Sequence, residues 1–400
     1  ATTLSIGSID AKFVLAATAT GGAGKEATVV LHGIRSEAAL TVAGTVGGTY
    51  TVSGTGGTGT GGNNVNLNMT GISGKAGVTL GDFAATFRMA VTGTAGKGSF
   101  IAAATDIRGI DSGAGMTLGD LAGTVAVTAN GNGAANGTLL EAYGLSARGG
   151  NLATGAWSKN FALTVTVNGQ KEYGVNGYGV SASGVVSIEN LAGTLTVTVN
   201  GGNAAAGPVG GYGIQAFGGI TIAALELNSF RLTVRSTGGY GRDGSAVASG
   251  IRAAGGNLAF NTNAAGNWTV EANARGNNQA TMASASAVAA AIETVAGNIT
   301  INQALSGTFR VAAAASTSTG DSSAQALLVK SAGTAIIANG IGAGSNLTVL
   351  ATGGSGYIAS ALATLFYAAG ALTVTGALLG TASVGATGGK GGDDSSAVAY

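Results

Sequence analysis

Apolar and small polar residues alternate along this chain in short runs, and the runs return at a nearly fixed interval. One run has the form apolar-Thr-apolar after a Gly or Asn: Leu4-Ser5-Ile6, Leu40-Thr41-Val42, Val78-Thr79-Leu80 and Met116-Thr117-Leu118. Further copies start at Leu152, Val186, Ile220, Leu258, Ile299, Ile336 and Leu372. The eleven starts are 36, 38, 38, 36, 34, 34, 38, 41, 37 and 36 residues apart. Period-2 alternation with β-branched residues predicts strands, and self-similarity at a fixed period marks a repeat architecture.

Two further units accompany each start. The second follows within nine or ten residues and has the character Gly-Thr-aromatic-x-Val, as in Thr49-Tyr50-Thr51-Val52, Thr86-Phe87-Arg88-Met89 and Thr308-Phe309-Arg310-Val311. A third comes after a Gly-rich loop and places Gly before an aliphatic residue, as in His32-Gly33-Ile34, Tyr143-Gly144-Leu145 and Tyr212-Gly213-Ile214. Each repeat thus supplies three short strands and three turns.

No two-residue hairpin turn joins these strands, so the chain coils rather than doubling back. The expected fold is all-β: a single-stranded parallel β-helix, or β-solenoid, of about eleven coils over residues 1–400, with coils stacked ~4.8 Å apart. The crossover preference and the irregular spacing favour right-handed coils. Inward positions should form ladders of like residues, and Phe13, Tyr50, Phe87, Phe161, Phe230, Trp268 and Phe309 are expected to share one position as a stacked core. Arg88, Arg231 and Arg310 alternate outward into solvent.

Composition narrows the function classes. Only 9 % of residues are charged against a usual ~25 %, and the 400 residues include 74 Gly, one Pro, one His and no Cys. Disulfide scaffolds, cysteine-ligated zinc and two-histidine mechanisms are thereby excluded. A net charge of +1 gives no field to attract nucleic acid or an anionic membrane. The segment Ser331 to Gly389 carries no charge, and Tyr357 to Val374 approaches the length of a membrane helix. The same residues keep the repeat register, so no transmembrane span is expected. The chain starts at Ala1 without a charged and then apolar leader, the pattern of a processed product or a segment of a longer protein.

Candidate chemistry is sparse. Asp82 and Asp120, each in Leu-Gly-Asp and one coil apart, form the closest approach to a carboxylate pair, with Glu189 near the same position further on. Stacked like charges either share a cation or repel into solvent. Gly238 to Asp243 and Gly388 to Asp393 fit G-G-x-G-x-D, the start of a calcium-binding nonapeptide, but that motif works through tandem copies and these are 150 residues apart. Asp82, Asp120, Asp243 and Asp393 are therefore the calcium candidates, solvated turns and a flexible glycine loop are the simpler expectation, and no cofactor is expected. His32, the only imidazole, has no neighbouring Ser and Asp in the sequence and reads as a surface or turn residue.

Gly-Asn-Ile-Thr-Ile (297–301), Leu-Ser-Gly-Thr-Phe-Arg-Val (305–311) and Ala-Tyr-Gly-Leu-Ser-Ala (142–147) resemble the large bacterial β-strand-repeat surface proteins, including autotransporter-type passenger domains. The resemblance covers the whole chain, is architectural, and carries over no catalytic residue. It implies an extracellular or cell-surface β-helical stalk, filament or adhesin. The leading expectation is a structural, non-enzymatic rod, partnered end to end by another copy or by more of the same chain. An adhesin that binds glycans through its loops is the alternative, followed by a functional amyloid and a polysaccharide-active enzyme. Nucleic acid is not an expected partner.

Overall fold

A computed structural model describes residues 3–21, 27–56, 65–92, 104–131, 139–169, 174–202, 208–238, 243–276, 284–317, 320–354, 356–389 and 391–400. These residues form strands and turns and no helix. All strand pairing is parallel, and each strand pairs with its equivalent one repeat away: Leu4, Leu40, Val78 and Met116 align across four successive turns. The stacking is intramolecular, unlike an amyloid that contributes one repeat per molecule.

Each turn has three faces, exemplified by Ala39–Val42, Thr49–Thr55 and Val65–Gly74. The first two faces merge into one 20-stranded sheet, because Val186–Asn200 and Ile220–Thr237 run through the corner without interruption. The third face is a separate 11-stranded sheet. The fold is a β-solenoid of about 9 turns rather than the eleven counted from the repeats. The two end strands of the third face have a neighbour on one side only, so the packed solenoid is shorter than the repeat count.

Period-2 alternation fills the interior. Along Thr308–Ser316 the residues Phe309, Val311, Ala313 and Ala315 are buried, while Arg310 points out. Arg88 and Arg231 are likewise exposed. One apolar cluster extends from Val29 to Ala363, and burial on this scale supplies the main driving force for ordering.

The aromatic ladder needs correction. Tyr50, Phe87, Trp268 and Phe309 do share a position, but Leu15, Val125, Leu163, Leu195 and Leu232 fill the same row. Phe13, Phe161 and Phe230 lie two residues earlier, at the corner before the second face. There each Phe faces a glycine on the next turn, Gly48, Gly193 or Gly266, all with positive φ. A Cβ at those glycines would lie 2.4–2.6 Å from the Phe carbonyl oxygen, so the close approach of backbone to backbone at this corner, together with the positive φ, requires glycine there. Phe161 and Phe230 are still buried, whereas Phe13 is 39 % exposed because its turn is stacked on one side only.

The corner leading back to the first face has its own chemistry. Ser36, Ser112, Thr294 and Ser331 each donate a hydroxyl hydrogen bond to the carbonyl three residues on, at 2.7–3.0 Å. Such local side-chain bonds close the turn where ladder bonds stop. Ile336, read as a strand start, points outward, and Ala335 and Ile337 take the inward positions. Pro208 is the first residue of the strand Pro208–Ala216, a place where a missing N–H is tolerated. The uncharged segment folds as Gly356–Ala368 and Leu372–Val374, both strands. Among the described residues no helix is long and apolar enough to cross a membrane.

Candidate functional site

Asp82 and Asp120 are joined by backbone bonds rather than by a shared site, and the side chains of Asp243 and Asp393 lie outside the described ones. Asp82 Oδ1 accepts the Asp120 N–H at 3.0 Å, and Asp120 Oδ1 accepts the Ala156 N–H at 2.8 Å. Each carboxylate thus satisfies an orphan donor of the next turn, and Gly119 and Gly155 leave the room for it: a Cβ there would meet the carboxylate at 2.6 and 2.5 Å. Asn151, Asn257 and Asn298 do the same at another corner. Glu189 falls one position out of this row, because its successor Asn190 pairs with Ala156. Of the two glycine motifs, residues 239–242 and 390 lie outside the described residues. Among the described residues no group of three or more His, Cys, Asp or Glu side chains is placed to hold a metal ion.

A different constellation comes together on the third face. His32, Thr70 and Arg108 stand in one row on successive turns. Arg35, Ser73 and Asp111 form a second row, which continues to Ser146. With Lys75, Asp106 and Arg148 these side chains line an open cleft of about 490 Å³. Four lining cations, Arg35, Lys75, Arg108 and Arg148, face two carboxylates, Asp106 and Asp111, giving the cleft a formal charge of +2 with His32 neutral. The complete chain has +1.

The cleft is built on a buried ionic floor. Asp111 is almost fully enclosed and receives the Arg148 guanidinium in bidentate fashion, Nε to Oδ1 at 3.1 Å and Nη2 to Oδ2 at 2.7 Å. Arg108, also enclosed, donates to Asp106 Oδ2 at 3.0 and 3.1 Å and to Ser146 Oγ at 2.5 Å. Burial alone would depress the Arg108 pKa, but the negative groups around it, Asp106 first, outweigh that and hold it above the ordinary value. Lys75 is exposed and has no ion-pair partner among the described residues. Arg35 bonds both His32 Nε2 and Glu37. Burial, then the Arg35 charge, pushes the His32 pKa down and favours the neutral ring, whose Nε2 can accept from Arg35. His32 is thus half-buried in this cleft, rather than a free surface or turn residue.

Beyond Arg108 the same row becomes a tyrosine stack. Tyr143, Tyr178 and Tyr212 lie face to face at 4.5 and 5.0 Å, within 7° and 9° of parallel. Arg108 caps one end, 4.0 Å above the Tyr143 ring, and Arg252 caps the other at 5.6 Å from Tyr212. The ring faces are therefore occupied and only edges and hydroxyls are presented outward. Tyr143 donates to Glu141 Oε2, and Asn176 donates to Glu141 Oε1. Burial raises the pKa of all three phenols.

Sequence reading passed over Arg35, Lys75, Asp106, Arg108, Asp111 and Arg148, which span more than a hundred residues. The signal was present in the third unit, since Arg108-Gly109-Ile110 is a copy of His32-Gly33-Ile34. Fold and site together define a β-solenoid repeat protein with a charge-dense cleft on its third face. Comparison with family models, curated proteins and solved structures finds no match.

Proposed function

We propose that this chain is a structural, non-enzymatic rod that works outside the cell as a stalk or filament element. The observation that carries this reading is the single core, which runs from turn to turn without a domain seam. A stack of parallel turns resists bending, because each neighbour contact is a full set of ladder bonds. The engagement of Asp82 and Asp120 with backbone N–H groups supports a non-catalytic role for them. Apolar side chains exposed on the first and last turns, among them Val14, Leu378 and Leu379, are suited to carrying a further turn from a second copy or from the same chain.

The test uses cells that make the protein. Antibodies against the chain should label them intact, and removing whole turns should shorten the rod without unfolding it. Deleting residues 152–219 joins Asn151 to Ile220, in register, and should cost two turns, or about 10 Å of length. Labelling confined to permeabilised cells, or collapse of the shortened rod, would sink the proposal.

A further inference from the structure

We propose that the cleft on the third face binds the oxyanions, carboxylate or sulfate, of an acidic polysaccharide lying along the solenoid axis. This goes beyond the structural role and does not depend on it. Three observations converge. First, the cleft concentrates charge in a protein that otherwise avoids it: six of its fourteen lining residues are Arg, Lys or Asp, against 9 % charged residues in the chain. Stacked turns repeat each position every ~4.8 Å, so like charges are disfavoured in a solenoid unless something offsets them.

Second, the cations have separate tasks. Half-buried Asp106 fixes Arg108, and buried Asp111 orients Arg148, whose side chain is half exposed and whose Nη1 has no acceptor among the described residues. Lys75 is exposed at the cleft and has no ion-pair partner among the described residues. An oxyanion reaching the cleft meets a positioned guanidinium edge and an exposed ammonium, a combination suited to carboxylate or sulfate.

Third, the row leading from the cleft selects the type of chain. His32, Thr70, Arg108, Tyr143, Tyr178 and Tyr212 are spaced over five turn-to-turn steps, about 24 Å. With their faces closed by stacking and by Arg108 and Arg252, the tyrosines offer no platform for nucleic-acid bases. They offer phenol edges, and beside them Glu141 and Asn176, to a chain rich in hydroxyl groups.

The experiment titrates the full 400-residue protein by calorimetry with polygalacturonate, dextran sulfate, uncharged dextran and single-stranded DNA. Binding of one or both acidic glycans is expected, and which of them binds identifies the oxyanion. Neutral dextran should not bind, and affinity should fall as salt rises. Lys75→Glu, at an exposed position with no ion-pair partner among the described residues to lose, should weaken binding at least tenfold. Lys75→Glu with Arg148→Gln should abolish it, and Arg231→Gln on the second face should change nothing. Retained strand circular dichroism checks the fold of each variant. The proposal is overturned if neither acidic glycan binds, if Lys75→Glu binds like the parent, if Arg231→Gln weakens binding as much, or if DNA binds as tightly.

Discussion

Replacing Gly179 by Ala probes how closely the turns are stacked. Gly179 lies in the third-face strand Gly174–Ala182, where an added Cβ would stand 2.6 Å from the Gly213 carbonyl oxygen and 2.6 Å from Leu195 Cδ1. Both contacts must open by about 0.8 Å to reach the 3.4 Å of an ordinary contact. Leu195 is fully buried, and the Gly213 carbonyl belongs to the next turn, so neither side moves freely. Overpacking of this kind costs about 1–3 kcal/mol, and Ala recovers ~0.4–1 kcal/mol by restricting the unfolded chain. The net loss is about 1–2 kcal/mol. Hydrogen exchange should report it locally: amides of Gly174–Ala182 and Pro208–Ala216 should lose protection about five- to thirtyfold. Gly7→Ala, whose Cβ would have nothing within 4 Å, serves as the control and should stay within ~0.5 kcal/mol of the parent. Equal protection in Gly179→Ala and the parent would refute the packing argument.

Other expectations follow from the corners and from the cleft. Asp82→Ala removes the acceptor of the Asp120 N–H and should cost about 0.5–1.5 kcal/mol, while Asp82→Asn keeps an oxygen there and should cost less. Calcium should leave the melting temperature of the parent unchanged; a rise that Asp82→Asn abolishes would show an ion site instead of a turn bond. The His32 pKa is lower in the folded chain than the 6.5 of the free side chain, so the unfolded state takes up the proton first. The stability linked to His32 is therefore complete above pH 6.5 and is lost as pH falls through 6.5 toward the lowered folded value. His32→Asn should flatten stability against pH between 7 and 5, and identical profiles for the two proteins would contradict the burial argument.

The repeat was legible because each strand carries its own alternation, and stacking copies of Leu40-Thr41-Val42 on Val78-Thr79-Leu80 requires only the period. Tyr143 and Tyr212 were legible as equivalent positions of the third unit, though the stacking of their rings and the capping arginines were not. Phe13, Phe161 and Phe230 were misplaced by two residues because they sit at the corner, where the next turn supplies a positive-φ glycine and the strand alternation has not yet begun. That pairing depends on which turn is the neighbour, a relation invisible within one repeat. The cleft was hidden for a related reason. Arg148 reaches Asp111, and Arg108 reaches Ser146, only when a strand and its neighbour about 37 residues away are brought side by side.

The absence of cysteine allows the central claim to be tested with two introduced thiols. Thr117 and Thr373 are both exposed on the first face, and an unbroken register links them through seven turn-to-turn steps. Spin labels at Thr117→Cys and Thr373→Cys should give a narrow distance distribution centred near 34 Å, seven rises of ~4.8 Å. A broad distribution, or a centre far from that length, would contradict a continuous, rigid β-solenoid.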